Sequence, residues 1–464
     1  MRDTSLALKL SLAAQFLVLT QFQIPCSAAD DSVSFKKQIA PILVQKCSTC
    51  HNPEKAKGKY LVQTFESLMK TGSSGDAPIV PGKPEQSHLF RLITTKDEDD
   101  RMPQKSDPLP AEQVALVERW IRLGALFDGE DPRIELARLI PDLPHPAAPE
   151  NYPRPVPVLA LAFHPKGGEL AASGYHEVTI WNLESGRLDR RLGNLPQRIH
   201  SLIWHPDGSR IVVAGGSPGI AGEVTIVDVN AHTVIRKLGR FPDVALCLAL
   251  SPDGGKLAVG GADNSIHLYD LNTGDELLVI QQHADWVTGV AFNTDGSQLA
   301  SVSRDKTARI CLTQNGALET TFAGHEAALF GVAFSADGKT VFSCGRDKKI
   351  IAWKSDDGKK SGETAGFEGE IFALTREADH LFTAASDMHV RQHTAGDRKL
   401  VRTFSGHADW VYALAVHAET RRLASGAYDG EIRLWNFENG ELVRRWIAAP
   451  NLAAPSTSTA ASAR

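Results

Sequence analysis

The sequence predicts a multidomain chain, a small all-α domain followed by an all-β seven-bladed propeller. Three observations carry this. Residues 31–130 place apolar side chains at helical spacing. Residues 131–157 hold eight prolines. From Val158 onward the chain repeats itself with a period near 42 residues.

The bulk numbers agree. A length of 464 residues suits two or three domains. Hydrophobic content of 42% and charged content of 23% are ordinary for a soluble globular protein. A net charge of −5 argues against broad nucleic-acid binding, which wants a basic face. Six cysteines in such a length make no disulfide scaffold.

Residues 1–29 read as an export signal. Arg2 and Lys9 supply positive charge, "LSLAAQFLVLT" is an apolar run of 11 residues, and "CSAAD" offers small residues for cleavage. The run is short for a membrane span, which needs about 20 residues; an uncleaved anchor is the alternative. Cys26 is expected to leave with the signal, and no later run is long enough to span. The expected location is periplasmic or otherwise exported.

In residues 31–130, "SFKKQIAPILVQKC" puts Phe35, Ile39, Ile42 and Leu43 on one helical face. "LPAEQVALVERWIRLGA" is a second helix, with Pro110 in its first turn, an apolar stripe of Val114, Val117 and Ile121, and Gly124 at C′. "FESLMK" reads as helical, and "KDEDDR" as a solvated loop. Proline fixes φ and removes a donor, so residues 131–157 read as a semi-rigid linker. "IELARLI" within them predicts a short helical turn.

Seven repeat units align on Phe163, Trp204, Leu250, Phe292, Phe334, Arg376 and Val416, at spacings of 41, 46, 42, 42, 42 and 40. Period and turn chemistry ("PDG", "TDG", "ADG") are those of propeller blades over 158–449. Several units carry a His before the inner strand (His283, His325, His407). Several also carry a turn Asp six residues before an aromatic: Asp263 to Tyr269, Asp347 to Trp353, Asp429 to Trp435. These residues resemble the WD40 family, whose hydrogen-bonded tetrad includes the His, the turn Asp and the Trp and ties a blade together. Units two, four and six depart from it, with Val227, Cys311 and His393 at the Trp position, and are expected to rely on apolar packing. Cys247, Cys311 and Cys344 read as free buried thiols. Residues 450–464 read as a disordered tail.

"CSTCH" packs Cys47, Cys50 and His51 into five residues. A structural zinc site wants four protein ligands, and no second cysteine pair exists. A thioredoxin-like dithiol wants a βαβ setting, which is absent. A bare Cys47–Cys50 disulfide leaves His51 unexplained. The C-x-x-C-H haem attachment pattern uses every residue: two thiols for the vinyl groups, and His51 for the iron. For a sixth ligand this unit offers Met69, Met102 and His88. Met102 lies in a proline-pinned loop, whereas Met69 reads as a core residue and His88 as a surface or core residue.

"FKKQIAPILVQKCSTCH", "VPGKPEQS", "RMPQKSDPL" and the closing helix with Trp and "GA" resemble the planctomycete-type cytochrome c domain over about 33–127. That resemblance implies that the Met of "RMP", Met102, is the distal ligand. It departs at "CHN", where the family usually has "CHG", and at "YLVQT". The family is often fused to propeller repeats. The reading is therefore an exported c-type cytochrome with one haem c (iron) per chain. Cys47 and Cys50 are the covalent anchors, His51 and Met102 the axial ligands. It would act as an electron carrier rather than a catalyst, with an unknown redox partner and a propeller that docks protein or substrate. A haem enzyme with an open sixth site and a haem-linked sensing module stay open as alternatives.

Overall fold

The computed structural model describes residues 32–48, 50–52, 56–104, 107–139, 145–219 and 221–452. The signal reading on 1–29 and the tail reading from 453 onward lie outside these residues. The chain divides into two compact units, 1–140 and 141–464.

The first unit is helical. Ser34 caps a π-helical turn, Phe35–Ile39, that runs into helix α1, Ala40–Lys46. Ala40 N–H reaches Phe35 O, five residues back, and Pro41 follows in the first turn of α1, where its missing N–H costs nothing. The predicted face is buried: Phe35 and Ile39 are fully inaccessible, and Ile42 and Leu43 nearly so. Helices α2 (Phe65–Leu68) and α3 (His88–Thr94) precede α4, Ala111–Arg122. Val117, Trp120 and Ile121 of α4 are buried, with the Trp120 ring against Phe35 and Phe65. Gly124, at φ +104°, ends α4 in a Schellman motif: Ala125 N–H donates to Trp120 O at 2.9 Å and Gly124 N–H to Ile121 O at 3.0 Å. The segment 97–100 of "KDEDDR" is exposed.

The proline-rich stretch contributes to both units. Helix α5, Leu136–Leu139, adds buried Leu136 to the first core, and Leu136 N–H donates to Gln63 O at 2.8 Å. Residues 145–157 belong to the second unit, where Tyr152 is buried.

In the second unit, 28 strands among the described residues form seven antiparallel sheets of four consecutive strands each. The first strands of neighbouring blades pack in a closed ring, the seventh against the first. The seven aligned positions all fall at the end of these first strands, from Phe163 in Leu161–Phe163 to Val416 in Val411–His417. Among the described residues no strand is exchanged between first and last blades. Closure rests on side-chain packing and on Val158 N–H, which donates to Ala427 O at 3.1 Å. Gly426 permits this approach, because a Cβ there would lie 2.4 Å from Val158.

Blade five holds the complete tetrad. Trp353 Nε1–H donates to Ser343 Oγ at 3.1 Å, Ser343 Oγ meets His325 Nε2 at 2.8 Å, and His325 Nδ1 meets Asp347 at 2.6 Å. Blade four keeps His283, Ser301 and Asp305, with buried Cys311 in the Trp place.

Two expectations need correction. Asp429 does not hold His407; Glu431, two residues on, lies 3.4 Å from His407 Nδ1 and is itself gripped by Arg433. Nor do the departing blades two and six rely on apolar packing alone. In blade two Glu223 meets His145 at 2.6 Å and Lys237 at 3.0 Å. In blade six Asp387 pairs with Arg391 at 2.8 Å, whose guanidinium lies over Phe367. Glu177 of blade one does the same work, binding Tyr152 and Arg191, each at 2.5 Å. Glu177, Glu223 and Glu431 share one register, four residues before Trp181, Val227 and Trp435. From this register Glu431 faces His407 of its blade, whereas Glu177 and Glu223 each take one partner from residues 145–157 and one from the fourth strand of their own blade.

Candidate functional site

The first unit encloses a cleft of about 320 Å³. Its size is that of a cofactor site. Tyr60, Val62, Pro78, Leu89, Leu92 and Ile93 make its walls mostly apolar, and Cys47, His51, His88 and Met102 lie on its lining. Three regions that are far apart in sequence therefore meet at one surface.

Each is placed by backbone hydrogen bonds. Cys47 extends α1, its N–H donating to Leu43 O at 2.9 Å, and the chain then turns so that Cys50 and His51 N–H groups both reach back to Cys47 O, at 3.2 and 3.1 Å. This turn presents Cys47 and His51 together. Cys47 and Cys50 are free thiols, and burial, helped by Cys50, pushes the Cys47 thiol up to about 12. Cys50 is partly buried and is not on the cleft lining.

His51 Nδ1 lies 3.2 Å from Tyr60 O. A carbonyl only accepts, so Nδ1 carries the proton and Nε2 keeps its lone pair. Tyr60 is anchored through its hydroxyl, which donates to Leu68 O at 2.8 Å. Met102 is fixed by its N–H, which donates to Leu92 O of α3 at 2.9 Å.

Of the three sixth-ligand candidates, Met102 and His88 line the cleft, while Met69 packs on the core. His88 Nδ1 is engaged by Asp76 at 3.0 Å and Arg91 at 3.1 Å. The segment "VPGKPEQS" has a mechanical role. Buried Ser87 accepts from Val80 N–H at 2.8 Å and donates to Lys83 O at 3.0 Å, setting the start of α3. Gly72 keeps another wall thin, since a Cβ there would meet Gly58 O at 2.7 Å. The sequence pointed to neither Tyr60 nor Gly72; a carbonyl ligand to histidine carries no residue signature.

The residues fit a haem: a mostly apolar cleft, unpaired thiols, and an imidazole with its free nitrogen defined. Fold and cleft together define a haem-containing module joined to a propeller scaffold. Residues 47–106 match the planctomycete cytochrome C family. Residues 236–270, 274–311, 316–354 and 398–436 match the WD domain, G-beta repeat. The chain thus carries a planctomycete cytochrome C domain and WD40 repeats. Those repeat matches fall on blades three, four, five and seven; the other three blades are recognised by their structure.

Curated relatives share part of the chain. The eukaryotic translation initiation factor 3 subunit I of Emericella nidulans is 35% identical over 71 residues, 15% of this chain and 21% of the relative. The same subunit of Botryotinia fuckeliana is 31% identical over the same length. The chain spans about a fifth of the length of these relatives. The shared stretch is shorter than two blades.

Proposed function

We propose that this chain is an exported monohaem electron carrier whose propeller is a docking scaffold for a partner or substrate. The supporting observation is that Cys47, His51 and Met102 share one mostly apolar cleft while Cys47 and Cys50 are free thiols. Cys47 and Cys50 would hold one haem c through thioethers, with His51 as proximal and Met102 as distal ligand. When bound, the haem supplies one-electron chemistry at a potential that Met/His ligation raises.

The chain's own residues set the conditions for this. Tyr60 O orients His51 and keeps its proton on Nδ1. Leu92 O holds the Met102 backbone. Val62, Leu89, Leu92 and Ile93 give the cleft its apolar walls. Attachment of this haem type takes place outside the cytoplasm, so the N-terminal signal pattern supports the same reading. Among the described residues no helix is long and apolar enough to cross a membrane.

Absorption spectra of the exported protein, oxidised and reduced, with and without CO, test this in the wild type and in Met102→Ala. The expected result is a covalent haem that ignores CO in the wild type and binds it in the variant. CO binding by the wild type would overturn Met102 ligation in favour of a catalytic or sensing site. Absence of haem would overturn the whole reading.

A further inference from the structure

Blades four and seven carry the same loop, "HADWV", at His283–Val287 and His407–Val411. The two loops share one backbone frame. In each, the aspartate accepts from the tryptophan N–H at 2.8 Å: Asp285 from Trp286, Asp409 from Trp410. In each, the tryptophan carbonyl accepts from the residue before the turn Asp: Trp286 O from Arg304 N–H at 3.1 Å, Trp410 O from Tyr428 N–H at 2.8 Å.

The frames differ in what they hold. In blade four the Arg304 guanidinium lies 4.2 Å from the Trp286 ring centroid and 3.7 Å from Asp285. The loop is filled by its own cation. In blade seven tyrosine stands where that arginine would be, and among the described residues no cation pairs with Asp409. Trp410 and Tyr428 are 48% and 52% exposed, although large aromatics gain from burial. Their rings sit 6.5 Å apart and join Tyr412, which stacks on Phe372 at 4.5 Å.

We infer that the Trp410–Tyr428–Asp409 site of blade seven receives an arginine side chain from a partner protein, in the manner in which Trp286 and Asp285 receive Arg304. This deepens the docking-scaffold reading and rests on it. The aromatic faces supply the cation–π attraction and the aspartate supplies the charge. A planar guanidinium stacks on an aromatic face better than a compact, strongly hydrated ammonium does. A chain of net charge −5 favours such a partner at longer range.

Acetyl-arginine amide is the probe, titrated into the full chain while the tryptophan indole resonances are followed by NMR. The Trp410 indole should shift saturably, and acetyl-citrulline amide, which lacks the charge, should bind roughly tenfold more weakly or less. Tyr428→Arg copies the filled blade-four arrangement, so it should fold and should abolish the response. Trp410→Ala should abolish it too. Equal binding of the citrulline probe, no shift at all, or an undiminished response in Tyr428→Arg would overturn the inference. A partner protein captured by the propeller but indifferent to Tyr428→Arg would overturn it too, while leaving the scaffold reading intact.

Discussion

The two units of this chain solve the problem of a core in opposite ways. Each propeller blade closes its own structure. Blade five buries Trp353 completely, stacked 5.3 Å from Phe322, and ties it through Ser343 and His325 to Asp347. The first unit does not close. Its helices are short, the longest among the described residues running from Ala111 to Arg122, and its apolar residues surround a cleft of about 320 Å³. Interiors elsewhere are packed with few voids larger than a water. The difference lies in the side chains that finish each unit: a blade is tied by its own Trp, His and carboxylate, whereas the first unit turns cysteine, histidine and methionine toward a cleft that fits the haem proposed above.

The strongest way to break that comparison is to deny the first unit its occupant. Replacing both Cys47 and Cys50 by alanine should eliminate covalent haem entirely. It should also lower or erase the first unit's thermal transition and leave the propeller's transition in place, because a bound cofactor stabilises only the unit that binds it. Calorimetry of the two forms checks this. A first-unit transition unchanged by loss of haem would show that the unit is already complete.

The converse test acts on the propeller. Trp353→Ala removes a fully buried ring and a hydrogen-bond donor, so it should cost about 3–5 kcal/mol in that unit. The haem spectrum should be unaffected. Denaturant titration followed by far-UV circular dichroism, with the Soret band read in parallel, separates the two effects. A Soret change alongside the propeller's loss would show that the units are not energetically separate.

A smaller effect distinguishes the blades from one another. Blade three has no His–Asp pair of the blade-five kind; His267 lies between Asp263 at 3.1 Å and Glu276 at 2.7 Å. Burial opposes its charge, but hydrogen bonds to the two carboxylates outweigh burial and lift its pKa to about 9. The unfolded value is about 6.5. A raised folded pKa gives stability that is full below the unfolded value and lost as pH rises through the folded one. The propeller should therefore lose roughly 1–3 kcal/mol between about pH 6.5 and 9. His267→Gln should flatten that slope, as urea midpoints across the range would show; an unchanged slope would remove His267 as its source.

Much of the architecture was legible because it is written in short-range chemistry. Phe35, Ile39, Ile42 and Leu43 announce a buried helical face by spacing alone, and Gly124 announces a helix end because positive φ suits glycine. The repeat period announces blades because each unit must supply the same inner strand. The carboxylates of blades one, two and seven escaped the pattern for a physical reason: Glu177, Glu223 and Glu431 stand in another register from the turn aspartate, and Tyr152 and His145 reach Glu177 and Glu223 from a stretch that reads as linker. A carboxylate's partner is set by where side chains end, not by where they begin.

By itself, then, the sequence determined the class of each unit, the cysteine pair with its histidine, and the short list of residues able to face them. Those follow from local rules of periodicity, turns and ligand chemistry. Only the tertiary structure decided which of Met69, His88 and Met102 line the cleft with His51. It also assigned the His51 proton to Nδ1, through the Tyr60 carbonyl, and showed that two identical "HADW" loops differ by one filled and one unfilled aromatic site. Those depend on contacts between segments distant in sequence, and such contacts exist only once the chain has closed around them.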